Sequence, residues 1–393
     1  MISNNIKRRI EQIKLYESHG SHSILEEHNA RLLLSAIPLA DLSNPAMTYC
    51  DPQCGSGSIL LVLADLLMQA LVKEIPDPIV RLRHIFSKQI FANDFNHTQV
   101  KVASANFKRA LNDREFPINV TERDCFTINT CYNYIISAIE FDTIDKFVPK
   151  FKEQATRIII AARSNKTRYS DKNIWEMSEY RFLGISADSR TPMSMMVFDR
   201  VKKDKAVIFC NDSERFSVDN PPFLPGADLT MFKYAVEVLA ERFEGYEGNY
   251  GPYYSNSDVI VDNPGTVPLI FNVGTEVSDF TEVIKVSKRI VNDKMGVGKH
   301  KIVISKNGNR GKQSIIKYAD PIYGTGHNTL WVEVRSPAAA KKLIKYWNTV
   351  EISTLCCAVK STNPVNGIEF WERIPHLSNY KKIKEIYDKY YKS

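Results

Sequence analysis

The stretch Asp51-Pro-Gln-Cys54-Gly55-Ser-Gly57 closes a short apolar run and opens a long one, Ser58 to Ile75. Small residues at Gly55, Ser56 and Gly57 let a backbone turn sharply and approach a ligand closely. A helix starting behind them offers unpaired N–H groups and the positive end of its dipole. No Gly-Lys-Ser/Thr follows, so this is not a P-loop, and the spacing is not that of GxGxxG. Asp51 falls at the tip of the preceding strand. A second apolar run ends at Asp94, in Phe-Ala-Asn-Asp, and a third at Asp124, in Glu-Arg-Asp-Cys-Phe. An acid at the tip of a second strand is placed to bind ribose hydroxyls, and helix capping is compatible with that role. Three acidic tips in succession outline a pocket for a nucleoside-like cofactor.

The order DPxCGSG, acidic second tip, acidic third tip resembles the S-adenosylmethionine site of N6-adenine DNA methyltransferases. It is most similar to those with an amino-terminal cofactor domain and a carboxy-terminal target-recognition domain. The carboxy-terminal stretch from Val332 to Leu377 resembles the end of such recognition domains. The resemblance implies that Asp51, Cys54, Gly55 and Gly57 hold the methionine part of S-adenosyl-L-methionine. It implies that Asp94 holds the ribose and that Asp124 and Cys125 lie against the adenine. Its implied activity is methylation of an adenine amino group in double-stranded DNA, in a restriction-modification setting and without a metal.

Such enzymes carry Asn/Asp-Pro-Pro-aromatic directly after the fourth strand. The adenine amino nitrogen is a poor nucleophile because its lone pair is delocalised into the ring. An Asn oxygen and a backbone carbonyl accept its hydrogens, the prolines stiffen the turn, and the aromatic stacks on the flipped base. Here the fourth strand reads Tyr132 to Ser137, and Ala138-Ile139-Glu140-Phe141 follows. Only the aromatic agrees. Asn220-Pro221-Pro222-Phe223 has the required residues but lies much further along the chain. Two readings stand. In one, an insertion displaces the catalytic motif to Asn220–Phe223. In the other, favoured by the strand count, the site at Ala138–Phe141 is degenerate, and Asn220-Pro221 is an ordinary turn dipeptide. The second makes the chain a catalytically silent, methyltransferase-like DNA-binding subunit or regulator, with an active methyltransferase as a partner.

The elements that must position these residues alternate. Strands are expected at 47–52, 88–94, 117–124, 132–137 and 157–163, with amphipathic or apolar helices between them and a closing hairpin from 180–188 and 193–201. That alternation predicts an α/β fold: a Rossmann-like, doubly wound, mainly parallel sheet. Ligands of such sheets sit at the carboxyl ends of the strands. Residues 1–46 read as a helical segment and 47–211 as the cofactor domain. From 212 to 393 the texture suggests a second, mixed α+β domain for target recognition and DNA binding. It contains glycine-turned strands and a helix starting at Pro337. Region 282–346 is basic, notably at Lys299, Lys301, Lys306, Arg310, Lys312 and Lys317. Lys306, Arg310 and Lys312 lie in a loop-like stretch suited to phosphates; a solvated hairpin tip is the alternative. The tail from Asn379 reads as an amphipathic surface helix, and Trp347 and Trp371 as core residues.

Composition sets outer bounds. The 393 residues are 44% hydrophobic and 25% charged, with a net charge of +7, which fits a globular chain with a mild leaning toward nucleic acid. No apolar run reaches the roughly 20 residues of a membrane span, and the start of the chain lacks a signal-peptide core. A cytoplasmic location is expected. Seven cysteines without regular spacing argue against a disulfide framework or a zinc site. The histidines do not cluster, and no nucleophile-elbow motif occurs.

Overall fold

In the computed structural model, the described residues are 6, 10, 27–139, 143–163, 176–185, 192–201, 206–219, 221, 224, 226, 228–240, 253–255, 267–272, 282–286, 297–305, 315–325, 329–360 and 374–392. They form two units, Met1–Pro221 and Pro222–Ser393.

The first unit follows the alternation in its sequence. Helices α1 (Glu27–Leu34) and α2 (Leu39–Leu42) precede strand β1 (Tyr49–Asp51) and helix α3 (Ser58–Ala70). Helix α4 (Pro78–His84) runs through a wider turn, Ile85–Gln89, into β2 (Ile90–Asp94). Then come α5 (His97–Ala110), β3 (Asn119–Glu122), β4 (Tyr132–Ile139), α6 (Ile144–Lys152) and β5 (Ala155–Arg163). The sheet is completed by β6 (Glu179–Ile185), β7 (Pro192–Asp199), β8 (Ala206–Cys210) and β9 (Arg215–Asp219). Its order is β3-β2-β1-β4-β5-β7-β6-β8-β9. Strands β1 to β5, β6 and β8 run the same way, whereas β7 and β9 run against them. The order reverses between β1 and β4, so the switch-point crevice of a doubly wound sheet opens at their carboxyl ends.

Helix α3 is apolar nearly all round and accordingly buried, with Leu60, Leu61 and Leu63 in the core beside Phe86, Phe107, Ile136 and Ile159. Its one buried acid, Asp65, is neutralised by Arg31 of α1 at 3.1 Å and hydrogen-bonded by Gln69 at 3.2 Å. Asn96 caps α5 by accepting from the amides of Thr98 and Gln99.

Two expectations change. The first unit extends to Pro221 rather than 211, because β9 pairs antiparallel with β8 from Ala206↔Asp219 to Cys210↔Arg215. Its residues are alternately exposed and half-buried, which suits an edge strand but hides it from a search for buried runs. Strand β4 does not stop at Ser137. It continues through Ala138 and Ile139, which pair with Ala161 and Ala162 of β5. No proline interrupts the ladder there, and Ile139 is buried.

The second unit contains a sheet ordered β10 (Tyr253–Ser255), β16 (Thr329–Glu333), β13 (Lys301–Ser305), β14 (Ile316–Ala319). A smaller one is ordered β12 (Glu282–Val286), β11 (Val267–Asn272), β15 (Gly324–Thr325). Helix α7 (Leu229–Ala240) opens the unit. Helix α8 (Pro337–Trp347) starts with Pro337 in its first turn and is capped by Ser336. Helices α9 (Val350–Lys360) and α10 (Tyr380–Tyr391) pack on α7, with Tyr234 donating to the carbonyl of Glu351 at 2.9 Å. Trp347 is fully buried, and α10 is amphipathic, burying Ile383 and Ile386. Trp371 lies outside the described residues. Among the described residues, no helix is long and apolar enough to cross a membrane.

Candidate functional site

The carboxyl rim of β1, β2 and β3 brings most of the predicted cofactor residues together. Asp51 ends β1 and Asp94 ends β2. Between them the chain turns through Cys54, Gly55 and Gly57 into α3. Gly57, at φ +81°, occupies the cap position, and Gly55 has φ +54°, both in the left-handed region that favours glycine. The Gly55 N–H donates to Asp94 Oδ2 at 3.0 Å, and the Asn96 N–H donates to Asp94 Oδ1 at 2.8 Å. Asp94 therefore fixes the glycine turn and the start of α5 at once. Each oxygen keeps a further lone pair for a ligand hydroxyl.

The two glycines differ in surroundings. A Cβ at Gly57 would lie 2.7 Å from Phe107 Cε1, so this glycine is required by packing against α5. A Cβ at Gly55 would meet nothing within 4 Å.

Asp51 is buried. It accepts from Ser137 Oγ of β4 at 2.8 Å and from the Gln53 N–H at 3.1 Å. Desolvation pushes its carboxyl up to about 7, against the pull of those two bonds, and the nearby Asp94 adds to the rise. Burial likewise raises the thiols of Cys50, Cys54 and Cys125. These cysteines are neutral walls rather than nucleophiles. All seven cysteines are free, and five are buried.

At the third tip, Asp124 is exposed and caps the short turn Cys125–Thr127 by accepting from the Phe126 N–H at 3.0 Å. Cys125 is joined to the β1 loop by the Gln53 amide, which donates to its Sγ at 3.4 Å. The tips also carry two aromatic side chains that the motif reading did not single out. Phe95, directly after Asp94, is 74% exposed, and Phe126 is 37% exposed. Asn93 and Ser137 were also missed, since their partners lie far along the chain.

The two candidate catalytic motifs lie differently. Ala138 and Ile139 belong to the β4–β5 ladder, one and two residues past the Ser137–Asp51 bond. Glu140 and Phe141 lie outside the described residues, as do Asn220, Pro222 and Phe223. Pro221 is described and is buried. Asp219, to which Asn220 is bonded, is the last residue of β9 and pairs with Ala206, the first of β8. Because β9 runs against β1 and β4, its end lies at the amino rim of the sheet, opposite the Gly55–Asp94 turn. It is also five strands from β4, roughly 24 Å at about 4.8 Å per strand.

In the second unit, Lys306, Arg310 and Lys312 lie outside the described residues, between β13 and β14 in sequence. Two other lysines of that basic stretch are committed elsewhere. Lys299 pairs with Glu333 at 2.7 Å. Lys301 is fully buried and donates to the carbonyl of Tyr323 at 2.7 Å, and burial pushes its pKa down to about 8. Among the described residues, no group of three or more His, Cys, Asp or Glu side chains is arranged to hold a metal.

Neither a family model nor a curated protein sequence matches the chain. Solved structures do. A nuclease-deletion mutant of the Type ISP restriction-modification enzyme LlaGI, in complex with a DNA substrate mimic, is 9% identical. That match covers 91% of this chain and 54% of the other, with a TM-score of 0.55. The Type IIL restriction-modification enzyme MmeI, in complex with DNA, is 9% identical over 99% of this chain and 74% of its own, with a TM-score of 0.47. A type I restriction-modification methyltransferase subunit from Streptococcus thermophilus is 11% identical over 47% and 45%, with a TM-score of 0.32. The chain spans about half the length of the LlaGI and Streptococcus chains. The likeness to LlaGI shows a shared fold.

Proposed function

We propose that this chain is a methyltransferase-like protein of the DNA adenine-N6 group that binds S-adenosylmethionine at the rim of β1, β2 and β3. The observation that carries the reading is the Gly55–Asp94 junction. A left-handed glycine with open space above it is hydrogen-bonded to a buried acid at the end of the second strand. The residues suit the cofactor's parts. Asp94 has lone pairs left for the ribose hydroxyls. Phe95 and Phe126 offer exposed faces for a purine. Asp51, poised to ionise, suits a cationic amino group, whose arrival would favour the carboxylate. When bound, the cofactor supplies an electrophilic methyl group.

The second half of the activity is not built in the same way. An acceptor for the adenine amino hydrogens is needed just beyond β4. Strand β4 itself continues through Ala138 and Ile139, neither of which carries a side-chain acceptor, and the next residues, Glu140 and Phe141, lie outside the described residues. Strand β9, which Asn220 to Phe223 follow in sequence, ends at the opposite rim. These placements favour a catalytically silent DNA-binding subunit, one that holds duplex DNA and cofactor for an active partner or withholds them. The basic stretch holding Lys306, Arg310 and Lys312, and the DNA substrate mimic present in the LlaGI structure, support DNA as the ligand.

The test is transfer of a tritiated methyl group from S-adenosylmethionine to unmethylated duplex DNA by the protein alone. No incorporation above background is expected. Incorporation that Asn220→Ala abolishes, with cofactor affinity intact, would overturn the silent reading and make Asn220–Phe223 catalytic.

A further inference from the structure

Beneath the cleft, one side chain joins all three strand tips. Asn93, next to last in β2, is buried. Its Nδ2 donates to the carbonyl of Pro52, just past β1, at 3.0 Å, and to the carbonyl of Arg123, just past β3, at 2.9 Å. Its Oδ1 accepts from Thr121 Oγ1 of β3 at 2.8 Å, which fixes the orientation of the amide. Its own carbonyl accepts from the Cys54 N–H at 2.8 Å. Both amide hydrogens are thus used on backbone oxygens that belong to two different loops. One loop, Pro52–Gly57, is the half of the cleft assigned above to the methionine part. The other, Arg123–Cys125, is the half assigned to the adenine.

We propose that Asn93 is a positioning residue that sets the distance and angle between these two halves, so that one extended ligand can occupy both. The inference rests on the cofactor reading above. Only an amide fits this place. Two carbonyl oxygens need two donors from one planar group, while the Thr121 hydroxyl needs an acceptor. Aspartate has the same shape, but its carboxylate would face two carbonyl oxygens. An apolar residue would leave both carbonyls without their donor. In either case the loops lose this shared anchor and keep only the longer Gln53–Cys125 contact between them, while each keeps its own local bonds: Gly55 to Asp94, and Phe126 to Asp124.

A tether between half-sites acts on ligands that span them and not on ligands that fill one. Joining two half-ligands gives an affinity gain set by how well the geometry permits both to engage together. The experiment is calorimetric or NMR titration of the full chain with S-adenosylhomocysteine and, separately, with adenosine. Asn93→Asp should weaken S-adenosylhomocysteine at least about tenfold while adenosine changes less than about threefold. Thr121→Val, a milder change that frees the amide without removing it, should move the same way by a smaller factor and keeps the test open if Asn93→Asp does not fold. Equal losses for both ligands, or none, in a folded variant would overturn the positioning role alone. Failure of the unaltered protein to bind S-adenosylhomocysteine would overturn the cofactor reading and this inference with it.

Discussion

Asp51 is where local chemistry and stability meet. Its carboxyl is raised to about 7 chiefly by desolvation, so the folded protein holds a proton that the unfolded chain gives up near pH 4. Between those values the folded state binds more protons than the unfolded state, and stability falls as pH rises. The cost is fully present above about pH 7. Asp51→Asn keeps an acceptor for Ser137 and cannot ionise. Urea unfolding at pH 5 and pH 8 should therefore show the wild type losing stability relative to the variant at the higher pH, on the order of a few kcal/mol at most. Parallel profiles would contradict the assignment. Asp51, Gly55 and Asp94 were legible in the sequence because small and acidic residues at strand ends have few other uses together. Ser137 and Asn93 were not, because a buried serine or asparagine declares itself only through its partner. Those partners lie 86 residues away for Ser137 and 41 for the Asn93–Pro52 bond.

At the level of elements, the glycine turn separates packing from binding. Gly57→Ala must place a Cβ 2.7 Å from Phe107 while holding a left-handed backbone, whereas Gly55→Ala meets only the backbone cost. The left-handed conformation costs about 1–2 kcal/mol, and overpacking adds about 1–3 kcal/mol more. Thermal unfolding should show Gly57→Ala several degrees below Gly55→Ala. Ligand titration should show the reverse order of interest: Gly55→Ala fills the open space and lowers affinity in a protein that remains well folded. Equal melting temperatures for the two would contradict the packing account. The strands up to β5 were readable from the alternation of apolar runs, and β6 and β7 form the expected hairpin, but it does not close the sheet, which β8 and β9 extend. The differences are one strand limit and two further strands, β8 and β9. Strand β4 runs on because Ile139 is buried and no proline stops it, and β9 was passed over because an edge strand need not be apolar.

At the scale of the first unit, the nine-stranded sheet puts the Gly55–Asp94 turn at its carboxyl rim, whereas β9, after which Asn220 follows in sequence, ends at the amino rim. Sequence could supply both motifs but not the direction of β9, which follows only from its pairing with β8. In the second unit, charge was a poor guide to surface. Lys301 is buried against backbone carbonyls, whereas the Lys299 side chain is exposed, in a surface pair with Glu333. Net charge belongs to the chain, while a phosphate contact belongs to a particular exposed side chain. The most direct measurement is equilibrium binding of S-adenosylmethionine to the unaltered chain and to Asp94→Ala, which loses both the proposed ribose acceptor and the anchor of Gly55. Saturable binding that weakens at least about tenfold in the variant is expected for a charge-assisted contact of this kind. No binding to the unaltered chain, or the same affinity in both, would contradict the account.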